Sequence, residues 1–130
     1  MRIPIVSILA ASALAMAACS SPPHELPERG ESKSFTVFAT SDEVYRKVVE
    51  GARTCYAKRE VVADYFPDNK SARVSMSVKT KFNIASLFMA EIKQAGTETR
   101  VQVFYLKGNP VFAEAVEQWT KENYTFCPFT

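Results

Sequence analysis

The chain is predicted to form an α+β domain, an antiparallel sheet of four to five strands with two helices packed on one face, in the order strand, helix, four strands, helix. Three observations predict it. Val44, Val48, Ala52, Cys55 and Tyr56 recur at the spacing of one helical stripe. Val74, Met76 and Val78 alternate with Arg73, Ser75, Ser77 and Lys79, the period of a half-buried strand. Phe112, Ala115, Val116 and Trp119 make a second helical stripe near the C-terminal end. With 130 residues, 47% hydrophobic and 23% charged, the chain has the composition of a globular protein. That length builds one core rather than two.

Ahead of these elements stand Arg2, an apolar run from Ile3 to Leu14, and the small residues Ala15-Met16-Ala17-Ala18 leading to Cys19. A positive start, a short apolar middle and small residues before a cut make a secretory signal. The run from Ile3 to Ala18 is shorter than the roughly 20 residues a membrane-spanning helix needs. Met16-Ala17-Ala18-Cys19 stands where Leu-Ala-Gly/Ala-Cys is usual, and residues 1 to about 21 resemble a bacterial lipoprotein precursor with a type II signal peptide. The resemblance implies cleavage before Cys19, a diacylglyceryl group on its thiol and a further chain, such as palmitate, on its amine. It implies the membrane as a partner through that anchor. Ser20, rather than aspartate, after the cysteine implies sorting to the outer membrane, in its periplasmic leaflet. An ordinary cleaved signal and an uncleaved anchor are the competing readings.

The domains expected are therefore a signal peptide over 1–18, a lipidated cysteine and flexible tether over 19–34, and a single α+β domain over 35–130. Residues 20–34, SSPPHELPERGESKS, hold prolines, charges and almost no apolar surface, so they are expected to stay unfolded. Fully extended, they reach at most about 50 Å.

Phe35-Thr36-Val37-Phe38 reads as the first, edge strand. Thr40-Ser41-Asp42-Glu43 supplies a capping box for the first helix, with Asp42 and Glu43 in its first turn and Arg53 and Lys58 towards its end, matching the helix dipole. Arg59 to Phe66, the turn Pro67-Asp68-Asn69-Lys70 and Ser71 to Thr80 form a hairpin. Phe82 to Ala95 is read as a strand, with a helix capped by Asn83 and stopped by Gly96 as the alternative. The β-branched and aromatic segment Thr99 to Leu106 decides for the strand, because it needs a neighbour and Ala95-Gly96-Thr97-Glu98 is short enough for a hairpin. Asn109 as cap and Pro110 at the first helical position open the last helix. The element order resembles the helix-grip domains found in a lipoprotein subunit of the outer-membrane β-barrel assembly machinery.

Three cysteines are present. With Cys19 carrying lipid, Cys55 and Cys127 remain, and an oxidising compartment makes a disulfide between them the expectation. The single histidine, His24, lies in the tether, so Ser-His, Cys-His and multi-histidine metal arrangements have no residues to build them. None of the four glycines falls in a phosphate-loop pattern. Catalytic residues, cofactors and metal ligands are all expected to be none. A net charge of +2 provides no strong field towards nucleic acid, and no nucleic-acid partner is expected. Basic residues from Arg46 to Lys81, Lys58 and Arg59 among them, are interleaved with acidic ones, which reads as a solvated surface sooner than as a patch for anionic lipid. Nine Phe, five Tyr and one Trp leave room for a ligand groove between sheet and helices, with Phe88, Phe104, Phe112 and Trp119 as its lining, against the plainer reading of a filled core. The function expected is a non-enzymatic, outer-membrane-anchored envelope lipoprotein whose partner is an unidentified envelope protein or lipid. A carrier or sensor of an apolar ligand is one alternative. A periplasmic enzyme inhibitor is another, similar in size and anchorage to the lysozyme-inhibitor lipoproteins.

Overall fold

A computed structural model describes residues 26–56, 59–79, 81–82, 84–122 and 127. Its elements are α1 (Leu26–Arg29), β1 (Glu31–Val37), α2 (Ser41–Cys55), β2 (Glu60–Phe66), β3 (Ser71–Lys79), β4 (Ile84–Ala95), β5 (Glu98–Tyr105) and α3 (Val111–Lys121). The five strands form one antiparallel sheet in the order β1-β5-β4-β3-β2. Helices α2 and α3 pack together on one of its faces, the α+β layering the hydrophobic stripes predict.

Local chemistry accounts for most boundaries. The Thr40 hydroxyl accepts the Glu43 amide at 3.3 Å and starts α2. That helix buries Val44, Val48 and Ala52 completely. Between β2 and β3 the chain turns through Pro67–Asn69 and Lys70, whose φ of 48° closes the hairpin. Between β4 and β5 it turns through Gly96, whose φ of 65° suits the first central position of a two-residue hairpin loop. Gln94 secures this end by accepting from the Ser41 amide and hydroxyl at 3.1 and 3.2 Å.

Two expectations need correction. The chain is folded from Leu26, not from residue 35: Leu26 is 2% exposed, and β1 begins at Glu31. The polarity of Glu31 to Ser34 hid this strand. As an edge strand β1 keeps its outward positions wet, and Lys33 is held from the side by Glu117 at 3.0 Å. Gly30 makes the connection possible, since a Cβ there would strike the Tyr105 carbonyl. Second, Pro110 rather than Asn109 occupies the cap of α3: the Pro110 carbonyl accepts the first helical hydrogen bond, from the Glu114 amide at 3.2 Å, and no side chain caps this end. The segment 82–95, read as a strand, is the strand β4 over Ile84–Ala95, and it carries a bulge. The register passes from Met76 opposite Phe88 to Ser77 opposite Ser86, leaving Leu87 as an extra residue packed towards the core.

Candidate functional site

Of the four aromatics expected to line a groove, three meet between the sheet and the helices. Phe88 is wholly buried with its ring centroid 5.9 Å from that of Phe112. Tyr56 joins them, 6.0 Å from Phe112 and 6.5 Å from Trp119. Trp119 lies flush on α2 at Gly51, where a Cβ would run into its indole. These rings fill the layer as core. Phe104 is not with them: it projects from the opposite face of β5, where it is buried with Met89 and Leu26. The reason is parity. Val101, Val103 and Tyr105 face the helices, so Phe104 faces away.

Cys55 and Cys127 form a disulfide with their Cα atoms 5.2 Å apart, bringing the end of α2 to the C-terminal segment. Cys19, His24, Lys58 and Asn83 lie outside the described residues. Among the described residues no group of three histidine, cysteine or acidic side chains is placed to hold a metal ion. No described helix is long and apolar enough to cross a membrane. The described basic residues between Arg46 and Lys81 are spread over α2, β3 and the connections around them. Several are paired, Arg46 with Asp42 at 3.4 Å, Lys47 with Glu43 at 3.7 Å and Lys79 with Glu60 at 3.3 Å.

The face of the sheet away from α2 and α3 is the surface with chemistry to offer. Strand register lays its side chains out in rows. One row runs Asp64, Arg73, Glu91, Gln102, Ser34 across all five strands, with Arg73 and Glu91 paired at 3.4 Å. The next runs Phe66, Ser71, Lys93, Arg100, Thr36. Here two exposed cations stand directly opposite each other on neighbouring strands, an arrangement that costs stability in a sheet. Both line a shallow depression of about 570 Å³ together with Ser34, Thr36, Glu91 and Gln102. On the other side of the charged row lie Phe104, Met89 and Val62, with Leu26 of α1 over Met89 and Phe104.

Composition conceals the Lys93 and Arg100 pair, seven residues apart in sequence. The signal that reveals it is the turn: a two-residue loop at Gly96-Thr97 sets Ala95 opposite Glu98, and counting back puts Lys93 opposite Arg100.

Comparison with known proteins adds little to this geometry. No family model matches the chain, and no curated protein matches it. Among solved structures, a TBP-like protein from Parabacteroides distasonis is similar at 15% identity and a TM-score of 0.35, over 56% of this chain and 53% of that one. The match therefore spans about half of that protein's length.

Proposed function

We propose that the protein is a non-enzymatic lipoprotein of the cell envelope, anchored through Cys19 in the periplasmic leaflet of the outer membrane, and that its sheet face binds a protein or other envelope component. The sequence of residues 1–21 supports the anchor. The observation that carries the binding function is the pair Lys93 and Arg100 in the depression on the open face. Two like charges held across a strand pair are relieved by an anionic group laid between them, so the face favours a partner presenting carboxylates or phosphates. The rings of Phe88, Phe112 and Trp119 occupy the layer that an apolar ligand would need, which favours recognition on the surface over carriage within.

Crosslinking in cells with the anchored protein, followed by mass spectrometry of what it holds, tests the reading. A reproducible partner lost in the Lys93→Ala, Arg100→Ala double variant is the expected result. A partner retained undiminished by that variant removes the open face from the function.

A further inference from the structure

The two ends of the sheet differ. At one end lie the turns at Pro67–Asn69 and Gly96, and the end of β1. At the other, β3 and β4 continue past their neighbours as a two-stranded tip. The last residue of β5 to pair with β4 is Tyr105, opposite Phe88, and β2 begins at Glu60, opposite Ser77. From Phe88 to Ile84, three rungs of the ladder because Leu87 is bulged, the tip extends about 10 Å further. It carries Phe82, 88% exposed, and Ile84, 45% exposed, with Lys79 and Lys81 beside them. Leu106 and Lys107, both exposed, follow β5 at the same end. Apolar side chains at the point of a projection, beside lysines with long aliphatic stems, suit the boundary between lipid headgroups and acyl chains; with Lys79 already paired to Glu60 at 3.3 Å, Lys81 at the tip and Lys107 behind it supply the attraction.

The place where the described chain begins agrees. Leu26 is fixed against Met89 and Phe104, on the open face and towards this same end. From Cys19 to Leu26 the chain takes seven steps, which span at most about 25 Å. A lipid on Cys19 therefore keeps the domain within that distance of the bilayer.

We infer that the β3–β4 tip, with Phe82 and Ile84 as its apolar point, Lys81 beside it and Lys107 behind it, rests in the surface of an anionic lipid bilayer and orients the domain on its anchor. This rests on the lipid anchor proposed above. The contact leaves the Lys93 and Arg100 row, further along the open face, clear of the membrane for a partner. Lysine charge adds attraction to phosphate headgroups, and a single exposed aromatic supplies the insertion.

The test uses the lipidated mature protein, purified from membranes and reconstituted in vesicles of phosphatidylethanolamine and phosphatidylglycerol with brominated acyl chains. Phe82→Trp places a fluorophore at the tip. Phe38→Trp places one at the opposite end, on a residue 82% exposed, as the reference. The native Trp119, 3% exposed in the core, is a constant background. The expected result is loss and blue shift of emission for Phe82→Trp, none for Phe38→Trp, and a smaller loss when Lys81→Glu is added. Equal quenching at both ends, or at neither while the protein sediments with the vesicles, overturns the contact and leaves the anchor standing. Absence of acyl mass on the mature chain, with no sedimentation, overturns the anchor and the contact together.

Discussion

Gly51 of α2 lies against the indole of Trp119 of α3, so close that a single added carbon on the glycine has no room. This contact fixes how near the two helices approach. Glycine inside a helix ordinarily costs about 0.5–1 kcal/mol relative to alanine. Here that cost accompanies an indole laid flat on the backbone.

Gly51→Ala thus sets helix propensity against packing. Overpacking in a filled core costs about 1–3 kcal/mol, more than the propensity gain, so the variant is expected to be less stable. Denaturant unfolding of the two proteins measures the difference. A more stable variant would falsify the close approach.

The Cys55 and Cys127 link closes a loop with a sequence separation of 72. Loop-closure entropy at that length gives about 4 kcal/mol of stabilisation. Cys127→Ser, or reduction of the wild-type protein, should lower the unfolding midpoint by a corresponding amount. Identical midpoints with and without reductant, or thiols that alkylate freely in the native protein, would show the link to be absent.

Leu26 decides where the folded domain begins. Buried against Met89 and Phe104, it should cost about 2–5 kcal/mol when cut back to alanine. Were residues 20–34 a uniform tether, Leu26→Ala would change nothing. Thermal melts of the variant separate these outcomes.

The Glu117 carboxyl feels two opposing influences. Burial raises its pKa, while hydrogen bonds and charge from Lys33 and Lys121, at 3.0 and 3.2 Å, lower it more, leaving it below its ordinary value of 4.5. A depressed folded-state pKa stabilises the protein above the unfolded value, and the contribution is lost as pH falls through the folded one. Stability should therefore decline below about pH 4.5, and Lys33→Met should flatten that decline without altering the slope nearer neutrality. Unfolding midpoints across the acid range provide the check, and parallel curves for the two proteins would exclude the pair from the acid response.

The layered fold is legible in the sequence because stripes such as Val44, Val48 and Ala52, and alternation such as Val74, Met76 and Val78, report the faces that are buried. Phe82 to Ala95 is ambiguous by period, and the bulge at Leu87 is the reason: one extra residue breaks the alternation that identifies a strand. The start of the domain escaped because β1 opens with polar residues and because one leucine among prolines and charges makes no pattern. Phe104 escaped for a different reason. Its sequence neighbourhood is uniformly apolar, Val101 to Leu106, so only the pleat says which face each side chain takes. Lys93 and Arg100 become a pair only through strand register, which the composition of neither strand contains.

The link between Cys55 and Cys127 makes a covalent ring of β2, β3, β4, β5 and α3, and leaves α1, β1 and α2 up to Cys55 outside it. A mechanical load arriving from the N-terminal side meets the excluded parts first. Strand β1 can peel from β5 without opening the ring, and the slack so released ends at Cys55. Residues 26–55 drawn straight lengthen the protein by at most about 100 Å. Beyond that point tension divides between two covalent paths, so the strands bearing the charged rows are the last to be pulled apart.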